Sequence, residues 1–378
     1  MIYLTRPYLT KKEAKSAYNT VLSHWLTQGA RVEEFEKKFA SYVGAKYAVA
    51  VTNCTTALHL SFITAGIGPG DEVICPSLSF IATANAIIYV GAKPVFSEVE
   101  FDTYNLDPKY AEKLITSRTK ALLIVHQLGM PADIDVFTRL ARKYNLKIIE
   151  DAACAAGSVY KGKKIGSHSS LVCFSFHPRK VITTGEGGMI TTSNKKYFNR
   201  LRLLRQHAMS VNDRIRHLSK KIVFESYPEV GYNYKMTDIQ AAIGTQQIKK
   251  LDWLIQKRRQ IAKRYRDFFS KINYISLQKE DDNCYSNYQT FSIYLDKKSP
   301  LSRNMLMQKL LDAGISTRRA SMAIHRERAY KNLYKNFTLP VTERLADRSL
   351  SLPLYAQMKH QEIDYVISKI ADILKIKS

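Results

Sequence analysis

Short apolar runs that end in turn residues alternate with helical patterns through the first half of the chain, and few architectures accept that order. KYAVAVTN (46–53), DEVICPS (71–77), KPVFSEV (93–99), ALLIVHQLG (121–129) and LKIIEDA (146–152) read as strands. PADIDVFTRLARKYN (131–145) has the apolar spacing of a helix. Strand and helix in turn predict an α/β domain on a mostly parallel sheet, whose ligands sit at the carboxyl ends of the strands. From Thr237 the texture changes. TDIQAAIGTQQIKKLDWLIQKRRQIAKRYRDFF predicts one long amphipathic helix, with Ile239, Ile243, Ile248, Leu251 and Ile255 at helical spacing. A strand in YQTFSIYL, a helix in NMLMQKLLDAG closed by Gly314 and a last helix in QEIDYVISKIADILKI complete a smaller α+β domain. The expected division is residues 1–245 and residues 246–378.

With 378 residues, 45% of them hydrophobic, the chain can bury a large core, which excludes a disordered protein. No stretch approaches the ~18 to 20 consecutive apolar residues of a membrane span. The opening MIYLTRPYLTKKEAKSAYNT is charged where a secretory signal would be apolar, so a cytoplasmic location is expected. Cys54, Cys75, Cys154, Cys173 and Cys284 lack the short paired spacing of zinc or redox sites, which predicts reduced thiols and no metal. Lysine and arginine total 58 against 33 acidic residues, a net charge of +25. That balance points to polyanionic partners without separating nucleic acids, nucleotides and anionic membranes. In QKRRQIAKRYR (256–266) the basic residues fit a solvated helix face as well as a binding patch, and no nucleic-acid-binding motif is present.

Chemistry enters where LKIIEDA delivers Glu150 and Asp151 at the carboxyl end of a buried strand. Alone, a strand-end aspartate serves as readily as a helix cap. Twenty-nine residues on, FSFHPRKVITTGEGGMI (174–190) places Lys180 after an apolar strand. Burying an unpaired ammonium costs several kcal/mol or forces its pKa down, which is how neutral, nucleophilic lysines are made. Gly185, Gly187 and Gly188 just beyond would let the backbone turn tightly beside a ligand. Pyridoxal phosphate asks for a lysine, a carboxylate for its ring nitrogen, donors for its phosphate and a flat apolar face. The donors could come from TNCTTALHL (52–60), where a polar turn opens a helix, and the face from Phe80.

EDAACAAGS (150–158), FSFHPRKVITTGEGGMITT (174–192) and GYNYKMTDIQAAIG (231–244), in that order and spacing, resemble the sugar aminotransferases of the DegT/DnrJ/EryC1/StrS family. WLTQGARVEEFEKKFASYVGAKYAVAVTNCTTALHL, GIGPGDEVICPSLSFIATANAIIYVGAKPVF and LSLPLY extend the resemblance over essentially the whole chain. It implies the type I fold of pyridoxal-phosphate-dependent aminotransferases, a large mixed, mostly parallel sheet flanked by helices with a smaller C-terminal α+β domain. Lys180 matches the lysine that bonds the cofactor's aldehyde and later shuttles the proton, and Asp151 the acid that keeps the pyridine nitrogen protonated. Ser175, Thr55 and Thr56 match phosphate-binding positions, and Phe80 the aromatic that stacks on the ring. Cys154 stands where the family usually has His or Gln near the cofactor's phenolic oxygen, and a thiol is the weaker hydrogen-bond partner. Asn233 matches a residue that reaches the neighbouring subunit's cofactor phosphate, so a homodimer with shared active sites is implied. His177 and Arg179 vary in the family and receive no role.

The resemblance is nearest the perosamine and viosamine synthetases of O-antigen and polysaccharide biosynthesis. It implies transfer of the amino group of glutamate to C4 of a nucleotide-linked 4-keto-6-deoxyhexose. His325, Arg318 and Arg319 are the expected substrate contacts. An enzyme acting at C3 of a 3-keto sugar shares the same motifs. A regulatory or binding protein on this fold would have no physical need for a buried lysine.

Overall fold

Seven strands, covered on both faces, build the main sheet: β1 (Tyr47–Val51), β2 (Glu72–Pro76), β3 (Lys93–Ser97), β4 (Thr119–Val125), β5 (Lys147–Asp151), β6 (Leu171–Ser175) and β7 (Gly188–Thr192). Their order is β1-β7-β6-β5-β4-β2-β3, and only β7 runs against the rest. The computed structural model describes residues 1–211, 216 and 219–376. Successive side chains of a strand face opposite ways, so each strand feeds two cores. Ala48, Ala50, Ile74, Leu122, Ile124, Val172 and Phe174 join the core under helices Ala30–Val43, Ile134–Tyr144 and Asp238–Ile248. Val49, Val51, Val73, Cys75, Leu123, Ile149 and Cys173 join the core under helices Cys54–Thr64, Ala82–Tyr89 and Lys195–Leu204. Phe35, Phe39, Phe174 and Phe176 pack ring against ring in the first core. Each such fully buried side chain is worth about 1.5–3 kcal/mol.

The stretch expected as one helix from Thr237 is two, Asp238–Ile248 and Leu251–Phe269, broken at Lys249–Lys250. Each half answers to a different partner. The first packs Ala241, Ala242 and Gly244 against the N-terminal helices, and the second carries the chain from one core to another. Leu251, Leu254 and Ile255 belong to the large core, whereas Ile261, Ala262, Tyr265 and Phe269 belong to the small one. The small core lies on a four-stranded antiparallel sheet ordered Ile275–Leu277, Phe291–Leu295, Ser349–Leu352 and Arg318–Arg319. Two segments cross over. Ile2 bonds to Gly314 and Ser316, and Leu4 to Leu354, so the first residues lie on the small unit. Ile324, Tyr330 and Leu339 return to the large one. Among the described residues, no helix is long and apolar enough to cross a membrane.

Glu13 ties the first helix, Lys11–Leu22, to this frame. Its carboxylate accepts from Thr10 N at 2.8 Å and Gln247 Nε2 at 3.1 Å, and pairs with Lys250 Nζ at 2.6 Å. Burial alone would raise its pKa, but Lys250, Thr10 and Gln247 outweigh it and hold the group at about 2. A carboxylate lowered on folding stabilises above its unfolded pKa, and the gain disappears as pH falls through the folded value. Glu13→Gln is expected to remove about 3 kcal/mol of stability at neutral pH and to flatten the loss between about pH 5 and pH 2. Urea denaturation across that range checks it.

Candidate active site

The alternation that divides the cores also aims the site. Asp151 and Ser175 end β5 and β6, and each points to the face already taken by Ile149 and Cys173, towards helix Cys54–Thr64. Glu150 points the other way, where His126 Nε2 donates to it at 2.8 Å. That ring's Nδ1 accepts from Ala132 N at 3.0 Å. Asp151 is 6% exposed. Its Oδ2 accepts from Thr83 Oγ1 at 2.9 Å and its Oδ1 from Ala153 N at 3.1 Å, which fixes the plane of the carboxylate. Cys54 Sγ lies 4.0 Å from Oδ1, and burial together with that charge pushes the thiol well above its ordinary range, so it stays neutral.

Helix Cys54–Thr64 brings its N-terminus to the same place. Asn53 caps it, accepting from Thr56 N at 2.9 Å, while the Thr56 hydroxyl turns back onto the Asn53 backbone. The capping box therefore occupies Thr56, which does not line the cavity; Thr55 and the first-turn N–H groups of Cys54 and Thr55 do. Gly188 opposes both Val51 and Ser175 in the sheet, directly under this turn. A Cβ there would meet the Asn53 carbonyl carbon and oxygen at 2.4 Å, so only glycine lets the helix end approach the sheet.

Lys180 sits in a turn closed by Lys180 N to His177 O at 2.8 Å and braced by Thr183 Oγ1 on Phe176 O at 2.7 Å. Its Nζ is 3.2 Å from Cys154 Sγ. Burial pulls its ammonium pKa down, as expected from the sequence, but Cys154, Cys54 and Asp151 together lift it above the ordinary lysine value. In the cofactor-free site the ammonium form is favoured over the neutral amine, because contact with the Cys154 sulfur and the nearby Asp151 carboxylate outweigh desolvation.

Asp151, Ser175, Thr55, Phe80, Cys154, Lys180, Arg318 and Arg319 all line one cavity of about 500 Å³ between the large and small units. Phe80 is 56% exposed there. Arg319 pairs with Glu327 at 3.1 Å. Besides Thr56, two expected contacts lie elsewhere. His325 is 2% exposed, its ring held by Ser77 Oγ at 2.7 Å and Glu343 Oε1 at 3.0 Å, so it pins a crossing segment and does not face the cavity. Asn233 is exposed outside the cavity, paired through its backbone with Gln206. Sequence reasoning missed Thr83, Gln289 and Thr290 and the N-terminal Leu4 and Thr5, all at the cavity wall. Thr83 carries a faint signal, a hydroxyl four residues after Ser79 at a helix start, whereas the others arrive only by tertiary return.

Residues 7–371 match the DegT/DnrJ/EryC1/StrS aminotransferase family. The chain belongs to this family. SpsC of Bacillus subtilis strain 168, described as a spore coat polysaccharide biosynthesis protein, is 38% identical over 373 residues, 98% of this chain and 96% of SpsC. Among solved structures, the putative sugar aminotransferase Spr1654 of Streptococcus pneumoniae in its PMP form superposes with a TM-score of 0.92 at 27% identity, covering 99% of both chains. PseC of Helicobacter pylori, an aminotransferase of pseudoaminic acid biosynthesis, gives 0.92 at 28% identity, again over 99% of both. This family member is a pyridoxal-phosphate-dependent sugar aminotransferase with the mixed, mostly parallel sheet of its structural neighbours.

The cavity's chemistry fits that cofactor. A buried carboxylate is held by Thr83 and the Ala153 N–H, a primary amine stands near it, and a helix N-terminus with two hydroxyls offers donors to a phosphate. Among the described residues, no group of three or more His, Cys, Asp and Glu is placed to hold a metal ion.

Proposed function

We propose that this aminotransferase transfers the amino group of glutamate to C4 of a nucleotide-linked 4-keto-6-deoxyhexose, with Lys180 as the covalent anchor of the cofactor. The observation that carries the reading is the convergence of Lys180, Asp151, Ser175 and the Cys54–Thr55 turn on one cavity. Pyridoxal phosphate, when bound, supplies an aldehyde and a ring that withdraws electrons. Asp151 would face the ring nitrogen, and Ser175, Thr55 and the helix N-terminus would hold the phosphate. Phe80 would cover the ring face, and Cys154 keeps contact with Lys180. Lys180 Nζ, released by the donor, takes the proton from the donor's α-carbon and returns it on the acceptor side. Across the cavity, Arg318 and Arg319 offer guanidinium groups to a diphosphate.

Asn233 serves the neighbouring subunit's cofactor phosphate in a cytoplasmic homodimer. Exposed apolar side chains support that assembly: Ile222, Phe224, Tyr227 and Val230 precede Asn233 in the chain, and Tyr18, Val21 and Leu22 lie on the first helix. Light scattering should give twice the 43.2 kDa chain mass. SpsC is described as a spore coat polysaccharide biosynthesis protein, and the product of this chain is proposed to serve polysaccharide biosynthesis as well. The deciding experiment is turnover of glutamate against GDP-, dTDP- and UDP-linked 4-keto-6-deoxyhexoses, with NMR of the product. Nitrogen at C3, or no turnover with any 4-keto sugar, defeats the reading.

Lys180 also makes a pH prediction. Only the neutral amine attacks an aldehyde, so cofactor loading of the apoprotein should rise with pH through the alkaline range. Cys154→Ala removes the strongest of the groups that raise the Lys180 pKa. Its loading rate is expected to exceed the parent's in the alkaline range. Stopped-flow growth of the visible absorbance checks this.

A further inference from the structure

Ser286–Thr290 leads into a strand of the small sheet, yet its polar groups reach across to the large unit. Asn287 is fully buried, and its Nδ2 donates to Cys154 O at 2.8 Å and Ala156 O at 2.9 Å. Its N donates to Ser158 Oγ at 3.2 Å, and its Oδ1 accepts from Gln289 N at 2.8 Å. Gln289 Nε2 in turn donates to Arg179 O at 2.9 Å. Gly129, with φ of +101°, makes room: a Cβ there would stand 2.0 Å from Asn287 Oδ1.

From the other side, buried Arg258 donates through Nε to Tyr288 O at 2.8 Å and through a terminal nitrogen to Gln289 O at 2.5 Å. Between these bonds Tyr288 has φ of 45°, left-handed backbone that a bulky residue adopts only when its surroundings over-determine it.

We propose that Asn287 and Gln289 are positioning residues that hold Lys180 and Cys154 in register, with Arg258 fixing them from the small unit. The carbonyls they bind belong to Cys154 itself and to the residue before Lys180, the two backbones whose side chains meet at 3.2 Å. One strained loop therefore sets the separation of both partners in that contact. A shift of about 1 Å at a reacting atom can cost about 100-fold in rate, so the clamp acts on turnover rather than on binding. The inference rests on Lys180 as the reacting amine.

The test uses holoenzyme variants Gln289→Met, which keeps shape and loses the amide, and Asn287→Asp, which keeps the acceptor and loses both donors. Gln289 borders the cavity, so the first variant is expected to keep the parent's melting temperature within about 3 °C. It should keep its borohydride-trapped cofactor and its apparent glutamate affinity within about twofold. Its single-turnover rate with L-glutamate should fall about tenfold, the effect of one lost hydrogen bond to a positioned group. Amide exchange should rise in peptides spanning 174–182 in Gln289→Met and in peptides spanning 150–158 in Asn287→Asp. Unchanged exchange, an unchanged rate, or a rate loss that only follows lost cofactor overturns the clamp. Cofactor still trapped in Lys180→Ala would instead overturn the assignment of the lysine, and the exchange result would stand apart from it.

Discussion

Lys180→Ala is expected to lower transamination by about 10⁴-fold or more while leaving the fold intact. The amine is asked for two jobs, bonding the cofactor's aldehyde and moving the donor's α-proton, and no other described lysine lines the cavity. Its turn survives the substitution, because Lys180 N to His177 O, Thr184 N to Phe176 O and Thr183 Oγ1 to Phe176 O use no atom of the side chain. Losing the ammonium also removes the half-buried cation that faces Asp151, so some stability at neutral pH should go with it while the fold is kept. Borohydride reduction followed by peptide mass analysis should place the cofactor on 174–190 in the parent and nowhere in the variant. Undiminished turnover of glutamate by Lys180→Ala would end the proposed mechanism.

Why Lys180 and Asp151 could be read before any coordinates is a matter of strand geometry. A strand covered on both faces reads as a continuous apolar run, and the residues at its carboxyl end fall at the ligand edge of a parallel sheet. Asp151 and Ser175 inherit their direction from Ile149 and Cys173, and Gly188 announces a close approach by having no side chain. Thr55 and Thr56 show where that logic stops. Both are hydroxyls in one turn, and only the cap geometry decides that Thr56 serves the helix and Thr55 faces the cavity. The break at Lys249–Lys250 was illegible for a related reason: no glycine or proline marks it, and what separates the two helices is the partner each packs against. His325 was misplaced because a histidine in a basic loop looks the same whether it meets a ligand or, as here, Ser77 and Glu343. Small-unit residues such as Asn287 carry no local signal, since their partners lie more than a hundred residues away.

Asp151→Asn is expected to reduce turnover by about 10³-fold, more than any change at the cavity except loss of the lysine. The substitution isolates charge from shape. An amide oxygen can still accept from Ala153 N, and its NH₂ can donate to Thr83 Oγ1, so both neighbours at 3.1 and 2.9 Å stay satisfied. What disappears is the negative charge that favours a protonated ring nitrogen, and with it the electron withdrawal that acidifies the donor's α-carbon. Thr83→Val separates the second contribution, leaving the charge and freeing the carboxylate to rotate, and should cost about tenfold. If Thr83 acts only through Asp151, the double variant will be no slower than Asp151→Asn alone. Independent losses that multiply would show instead that Thr83 touches the cofactor itself. Replacing pyridoxal phosphate by an analogue without the ring nitrogen should erase the difference between the parent and Asp151→Asn, since the carboxylate then has no proton to hold. A thousandfold gap that persisted with that analogue would place the role of Asp151 elsewhere, in the packing beside Cys54 and Thr83.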